Sequence, residues 1–179
     1  MSEIIHTFYQ LNEEEKQELS EKYSGNFDVV KVSDSDNSQK RYYGKMTYAN
    51  GDIYEGEWED GQKNGQGKYI WTDDSIYEGE YKNNQKNGQG KYTYSNGDVY
   101  EGEYKDSQKN GQGKYIWTDG DVYEGEWKDG MQNGQGKYTY ANGNVYEGEW
   151  KDAKRNGHGK YIYSNGDVYE GEWNDDKRV

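Results

Sequence analysis

The sequence predicts an all-β protein: an elongated, single-layer antiparallel β-meander of 23-residue hairpin repeats with a short N-terminal helix. Three observations carry this. First, Tyr54, Tyr77, Tyr100, Tyr123, Tyr146 and Tyr169 stand a constant 23 residues apart (77 − 54 = 23), and Gly56 and Gly67 begin glycine series with the same step. A fixed period of this length marks a stacked-repeat architecture. Second, each unit holds two runs with period-2 alternation. Tyr54, Gly56 and Trp58 share one face while Glu55 and Glu57 share the other; Gly67, Tyr69 and Trp71 then alternate with Gln66, Lys68 and Ile70. Such alternation is the signature of strands. Third, Asn-Gly pairs such as Asn96-Gly97, Asn142-Gly143 and Asn165-Gly166 separate the runs, and the chain contains no proline. These pairs admit the positive φ of hairpin turns, and strands without proline can donate every ladder bond.

Composition alone would mislead. Apolar residues make up 29% of the chain, charged residues 32%, and the formal net charge is −13, values typical of a disordered polymer. The 21 Tyr and 6 Trp point the other way. With few aliphatic residues, the apolar area must come from rings that bury a large surface and keep a polar tip. There is no cysteine, hence no disulfide framework and no thiolate metal site. No apolar run approaches the ~20 residues of a membrane span, and Ile4-Ile5 is too short for a signal-peptide core. The reading is a soluble, cytoplasmic protein. The acidic balance excludes a nucleic-acid stripe and makes electrostatic membrane contact the weaker reading.

Taken in order, residues 1–41 form an N-terminal cap and residues 42–179 the repeat array. Asn12 and Glu15 read as a capping box opening a helix over residues 12–22, with acidic residues in its first turn. A degenerate strand over 23–27 follows, then an acidic loop around 33–40. The helix is positioned to cover the first sheet edge. Residues 60–65 read as a longer connection between the strands of a unit. About thirteen strands result. Side-chain size suggests a register with aromatics opposite glycines: Trp58 facing Gly67, Gly56 facing Tyr69, Tyr54 facing Trp71, Glu57 facing Lys68, and across the next turn Tyr69 facing Gly79 and Gly67 facing Tyr81. In that register Tyr54, Trp71, Tyr77, Tyr94, Tyr100, Trp117, Tyr123, Tyr140, Tyr146, Tyr163 and Tyr169 make a continuous aromatic band.

The unit Tyr123-Glu124-Gly125-Glu126-Trp127 followed by Asn133-Gly134-Gln135-Gly136-Lys137-Tyr138 resembles the MORN repeat (membrane occupation and recognition nexus), and the resemblance runs from about Tyr42 to Trp173. Some units depart from it: Asp74 replaces a turn glycine, Tyr81 and Tyr104 replace Trp, and Asn84, Ser107 and Ala153 stand where Gly61 and Gly130 do. The resemblance implies a non-enzymatic protein-interaction scaffold or adaptor, as in ciliary (axonemal) or cytoskeletal assemblies; the alternative it carries is a phosphoinositide-binding membrane tether.

Sharper chemistry finds little support. Asp34-Ser35-Asp36-Asn37-Ser38 begins like a calcium loop, but Gln39 stands where the glycine belongs and Lys45 where the bidentate glutamate belongs. The Gly65-x-Gly67 pattern lacks the third glycine of a phosphate loop and recurs in every unit. His6 and His158 are the only histidines and lie far apart. No catalytic, metal or cofactor residues are expected. The aromatic band is the candidate site, its ligand a helix or extended segment of a protein partner. Open sheet edges offer a route to oligomers.

Overall fold

The computed structural model describes residues 13–33 and 41–179. The capping residue Asn12, His6 and the calcium-loop-like segment 34–38 lie outside the described residues. Among the described residues, fourteen antiparallel strands follow one another in sequence order across a single sheet, an open meander with one short helix before it. Contacts group the chain into two units, Met1–Lys86 and Asn87–Val179.

The first unit opens with α1 (Glu13–Tyr23), whose first turn carries Glu13, Glu14 and Glu15 and whose last carries Lys22, the polarity that the helix dipole favours. The strands β1 (Gly25–Ser33), β2 (Arg41–Tyr48), β3 (Ile53–Glu59), β4 (Gln62–Ile70) and β5 (Ile76–Lys82) follow, and β6 (Gln85–Thr93) straddles the division. The expected strand 23–27 is thus a longer one, paired with β2 from Gly25↔Tyr48 to Ser33↔Arg41 with an irregularity between Val29 and Lys31. The helix does more than flank this edge strand. Lys22 Nζ and the Tyr23 hydroxyl both donate to the Gly61 carbonyl, and the Tyr23 ring meets Trp58 edge-on at 5.4 Å. It therefore also lies over the end of the aromatic face. The second unit contains β7 (Val99–Lys105), β8 (Gln108–Ile116), β9 (Val122–Lys128), β10 (Met131–Thr139), β11 (Val145–Lys151), β12 (Lys154–Ile162), β13 (Val168–Asn174) and the two-residue β14 (Lys177–Arg178).

The connection after each Tyr-x-Gly-x-aromatic strand is shorter than expected. Asp60 and Gly61 both have positive φ (47° and 69°), as do Asp106-Ser107, Asp129-Gly130 and Asp152-Ala153. Two successive positive φ values make a two-residue turn whose twist matches that of the flanking strands. Asp74 likewise adopts φ 68° where other units have glycine. Residues 62–65 consequently belong to β4, and the strand accommodates them with a bulge. Gly56 pairs with Gly67 but Trp58 with Lys63, so Glu57 opposes the three residues 64–66. Gly65, at φ 88°, supplies the left-handed residue this bulge requires.

The register differs from the sequence expectation by a shift of two residues. Glycine faces glycine and tyrosine faces tyrosine: Gly56↔Gly67 and Tyr54↔Tyr69, then Gly67↔Gly79 and Tyr69↔Tyr77, with Gly65 rather than Gly67 opposite Tyr81. The interlock of ring and glycine is present but diagonal. A Cβ on Gly67 would fall 2.6 Å from the Tyr54 ring carbons Cε2 and Cζ. The ring runs along its own strand and lies across both paired glycines, and its hydroxyl donates to the Glu57 carbonyl at 2.9 Å, a group that the bulge withdraws from regular pairing. The same bond recurs from Tyr77 to Glu80, Tyr100 to Glu103, Tyr123 to Glu126 and Tyr146 to Glu149. On the other face, Lys68 pairs with Glu55 and Glu78, not Glu57. Ion pairs there, such as Lys68–Glu78 at 3.1 Å and Lys137–Glu147 at 2.9 Å, are exposed and contribute at most about 1 kcal/mol each.

Candidate functional site

The aromatic face is built from three rows, only one of which offers surface. Tyr54, Tyr77, Tyr100, Tyr123 and Tyr146 are 0% exposed. Each of these rings lies over glycines and meets the next aromatic of its own strand edge-on, as Tyr123 meets Trp127 at 5.2 Å. In the second unit, Tyr123 is closed from its other side by Trp150 at 5.3 Å. The second row, Trp58, Tyr81, Tyr104, Trp127, Trp150 and Trp173, is buried as well. Its indoles donate back across the sheet: Trp58 Nε1 to Gly44 O at 3.2 Å, Trp127 Nε1 to Gly113 O at 3.1 Å. Burial holds the phenol pKa of Tyr54, Tyr77, Tyr81, Tyr123 and Tyr146 above its ordinary value, that of Tyr146 at about 12, so these hydroxyls stay protonated.

The third row is the half-exposed one, Tyr115 alone of its described rings in the second unit being buried. In the second unit, rings step along the face as Tyr92–Tyr94 (4.4 Å), Tyr94–Tyr115 (5.6 Å), Tyr115–Trp117 (4.4 Å), Trp117–Tyr138 (5.2 Å), Tyr138–Tyr140 (4.4 Å), Tyr140–Tyr161 (5.9 Å) and Tyr161–Tyr163 (4.8 Å). The first unit has Tyr48–Tyr69 (5.7 Å) and Tyr69–Trp71 (4.4 Å). The expected band therefore divides. Trp71, Tyr94, Trp117, Tyr140, Tyr163 and Tyr169 keep partial exposure, whereas Tyr54, Tyr77, Tyr100, Tyr123 and Tyr146 present no surface to a partner, because their rings fill the space above the glycines.

Two features of this face were missed by sequence reasoning. The first is a basic column. The short turn and the bulge place Lys63 opposite Trp58, Lys109 opposite Tyr104 and Arg155 opposite Trp150, and the short last strand places Arg178 opposite Trp173. Lys63 Nζ lies 4.7 Å from the Tyr69 ring centre, 5.3 Å from that of Tyr54 and 5.5 Å from that of Tyr81. Lys109 Nζ is 4.4 Å from Trp127 and 4.7 Å from Tyr115. The ring faces attract these cations. Burial pulls the pKa of Lys63 and of Lys86 down to about 8, against the pull of Asp52 in the case of Lys63. The signal was a basic residue at 23-residue intervals, hidden because residues 62–65 read as loop.

The second is a ladder between turns. Asp52 accepts from the Tyr69 hydroxyl (2.9 Å) and the Thr72 N–H (3.0 Å); Asp98 does the same for Tyr115 and Thr118, and Asp121 for Tyr138 and Ala141. Asn144 continues the series, donating to Tyr161 Oη at 3.0 Å and accepting the Ser164 N–H at 2.9 Å. Burial alone would raise the carboxyl pKa of Asp52 and Asp98; the hydrogen bonds outweigh it and hold both below the usual range. The second glutamate of each unit also has a structural task. Glu103, Glu126 and Glu149 accept the backbone N–H of Gln112, Gln135 and His158 at 2.8–2.9 Å, beside the bulge. His158 itself is exposed, 3.4 Å from Glu172 and 3.7 Å from Glu170.

The MORN repeat family model matches residues 43–53, 54–76, 77–99, 100–122, 123–145, 146–168 and 169–179, seven segments in the register of the hairpins. The chain belongs to the MORN-repeat family. No curated protein matches it. Among solved structures, the MORN array is similar to the SAS-4 (dCPAP) TCP domain of Drosophila melanogaster in complex with a proline-rich motif of Ana2 (dSTIL), at 16% identity over 84% of this chain and 90% of that one, with a TM-score of 0.49. It also matches a point mutant of the TCP10 domain of Danio rerio CPAP, at 14% identity, 83% of each chain and a TM-score of 0.27.

Proposed function

We propose that this MORN array is a non-enzymatic protein-interaction scaffold whose exposed aromatic row receives a helix or extended segment of a protein partner. The supporting observation is the division of the face. Two aromatic rows are consumed by packing, and a third, with Tyr94, Trp117, Tyr140 and Tyr163 in the second unit, is left half-exposed. Rigid, partly exposed Tyr and Trp side chains are the residue types that anchor interfaces. The type of assembly we propose, cytoskeletal or ciliary, follows the family resemblance. The tether reading has less behind it, because the Lys68, Lys114 and Lys137 ammonium groups face carboxylates.

Affinity purification under native conditions, followed by titration of the identified partner against the purified chain, tests this. Trp117→Ala with Tyr140→Ala should abolish binding while leaving the thermal midpoint within a few degrees of the parent. Undiminished binding by that folded double variant would remove the reading.

A further inference from the structure

Among the described residues the basic column is broken once. Opposite Trp127, where the neighbouring units place Lys109 and Arg155, stands Gln132. By the repeat, the rings around it are Tyr123, Tyr138 and Trp150, the counterparts of Tyr100, Tyr115 and Trp127, over which Lys109 lies. Among the described residues no cation stands over Tyr123, Tyr138 or Trp150; the buried, uncharged Gln132 takes that place, and of these rings only Tyr138 keeps partial exposure. Tyr138 is also the centre of the exposed row, 5.2 Å from Trp117 and 4.4 Å from Tyr140. Its hydroxyl donates to Asp121 Oδ2 at 2.5 Å, and Asp121 N–H in turn donates to the exposed Asp119. Trp117, Asp119 and Asp121 of one repeat and Gln132, Tyr138 and Tyr140 of the next thus combine half-exposed rings and two carboxylates with the loss of the cation that neighbouring repeats carry.

We propose that the Trp117–Tyr138–Tyr140 patch is a subsite for an arginine side chain of the protein partner; this rests on the scaffold reading above and names the partner chemistry at one place on the row. Ring faces attract a cation, and a guanidinium, unlike an ammonium, stacks flat while directing its N–H groups at carboxylates. The chain itself provides the precedent. The Arg155 guanidinium lies 4.5 Å from the Trp173 ring centre while Nε donates to Asp176 at 3.0 Å. The formal net charge of −13 favours approach of a basic segment. The surrounding cations are engaged elsewhere: Lys109 on Trp127, Arg155 on Trp173 and Asp176, and Lys137 on the opposite face with Glu147.

The test is calorimetric titration of the full chain with acetyl-hexaarginine amide, with hexalysine of equal charge as comparison. Three variants enter: Gln132→Lys, which restores the missing cation; Gln112→Lys, which adds the same charge on the other face; and Asp119→Asn in the exposed turn. The arginine peptide should bind more tightly than the lysine peptide. Gln132→Lys should weaken it roughly tenfold with an equal or higher thermal midpoint, Asp119→Asn should weaken it several-fold, and Gln112→Lys should change it little. Equal binding of the two peptides, or equal effects of Gln132→Lys and Gln112→Lys, would overturn the subsite. Should Gln132→Lys misfold, an unchanged affinity in Asp119→Asn overturns it equally. A native partner that needs Trp117 and Tyr140 yet ignores both Gln132→Lys and Asp119→Asn would refute the arginine subsite alone and leave the scaffold standing.

Discussion

Replacing Gly113 by alanine should unfold the array far more readily than replacing Gly130, although each change adds one methyl group. At Gly113 the new Cβ would lie 2.6 Å from Tyr100 Cζ and 2.7 Å from Cε2, against the ~3.5–4.0 Å of a carbon contact. The ring must retreat by about 1 Å. It has nowhere to go: it is 0% exposed, edge-packed at 5.2 Å on both Tyr104 and Trp127, and its hydroxyl donates to Glu103 O at 3.0 Å. Two edge contacts at about 0.5–1.5 kcal/mol each and one hydrogen bond at about 0.5–1.5 kcal/mol stand to be lost, so the cost should be about 3 kcal/mol. Gly130 has nothing within 4 Å of its added Cβ and sits at φ 85°. Alanine there costs roughly 1 kcal/mol in the left-handed region, and Ala153 already occupies the equivalent turn position at φ 63°. Guanidinium chloride unfolding followed by tryptophan fluorescence reads both. The sign is diagnostic as well, because Gly→Ala in an unencumbered backbone stabilises by about 0.4–1 kcal/mol. Equal losses at the two sites, or a gain at Gly113, would refute the diagonal ring-on-glycine packing.

Asp98→Ala should cost about 1–3 kcal/mol, because the Tyr115 hydroxyl and Thr118 N–H lose their acceptor; Asp98→Asn should be mild, since Asn144 already does this work two turns on. Because the folded-state pKa of Asp98 lies below the ordinary ~3.9, its stabilisation is complete above that value and lost as pH falls through the folded pKa. Thermal midpoints in acid should therefore fall more steeply for the parent than for Asp98→Asn, and parallel curves would contradict the carboxylate's role. Liposomes containing phosphoinositides should leave the chain in the supernatant at physiological salt; tight binding abolished by replacing Lys91, Lys114 and Lys137 with Glu would promote the tether over the scaffold.

The hairpin repeat, the strands and the tyrosine–glycine complementarity were legible because period 2 and period 23 are both written in Tyr, Gly and Trp. The register was not. Residue size argues for a large ring opposite a bare backbone, but a tyrosine ring is long enough to lie along its own strand, so Tyr54 covers Gly56 and Gly67 while the two glycines pair with each other. That difference decides the candidate site, since it sends Tyr54 and its counterparts into the core and leaves Trp71 and its counterparts outside. The basic column was invisible for another reason. Asn64-Gly65 reads as a turn, yet the turn lies at Asp60-Gly61 and Gly65 is a bulge, and only the bulge carries Lys63 back to face Trp58. The constant 23-residue step of the second glutamate was visible, but its task, accepting an N–H at the bulge, depends on a feature no alternation pattern encodes.

The account turns on one row of rings being packed away and another being left as a face, and hydroxyl-radical footprinting of the free chain measures this directly. Tyr94, Trp117, Tyr140 and Tyr163 should be oxidised readily, while Tyr100, Tyr123, Tyr146 and Trp127 remain protected until the sheet unfolds; addition of the identified partner should then protect the first group. Oxidation of Tyr123 and Tyr146 as fast as Trp117 in the folded chain, or no protection of the exposed row in the complex, would contradict it.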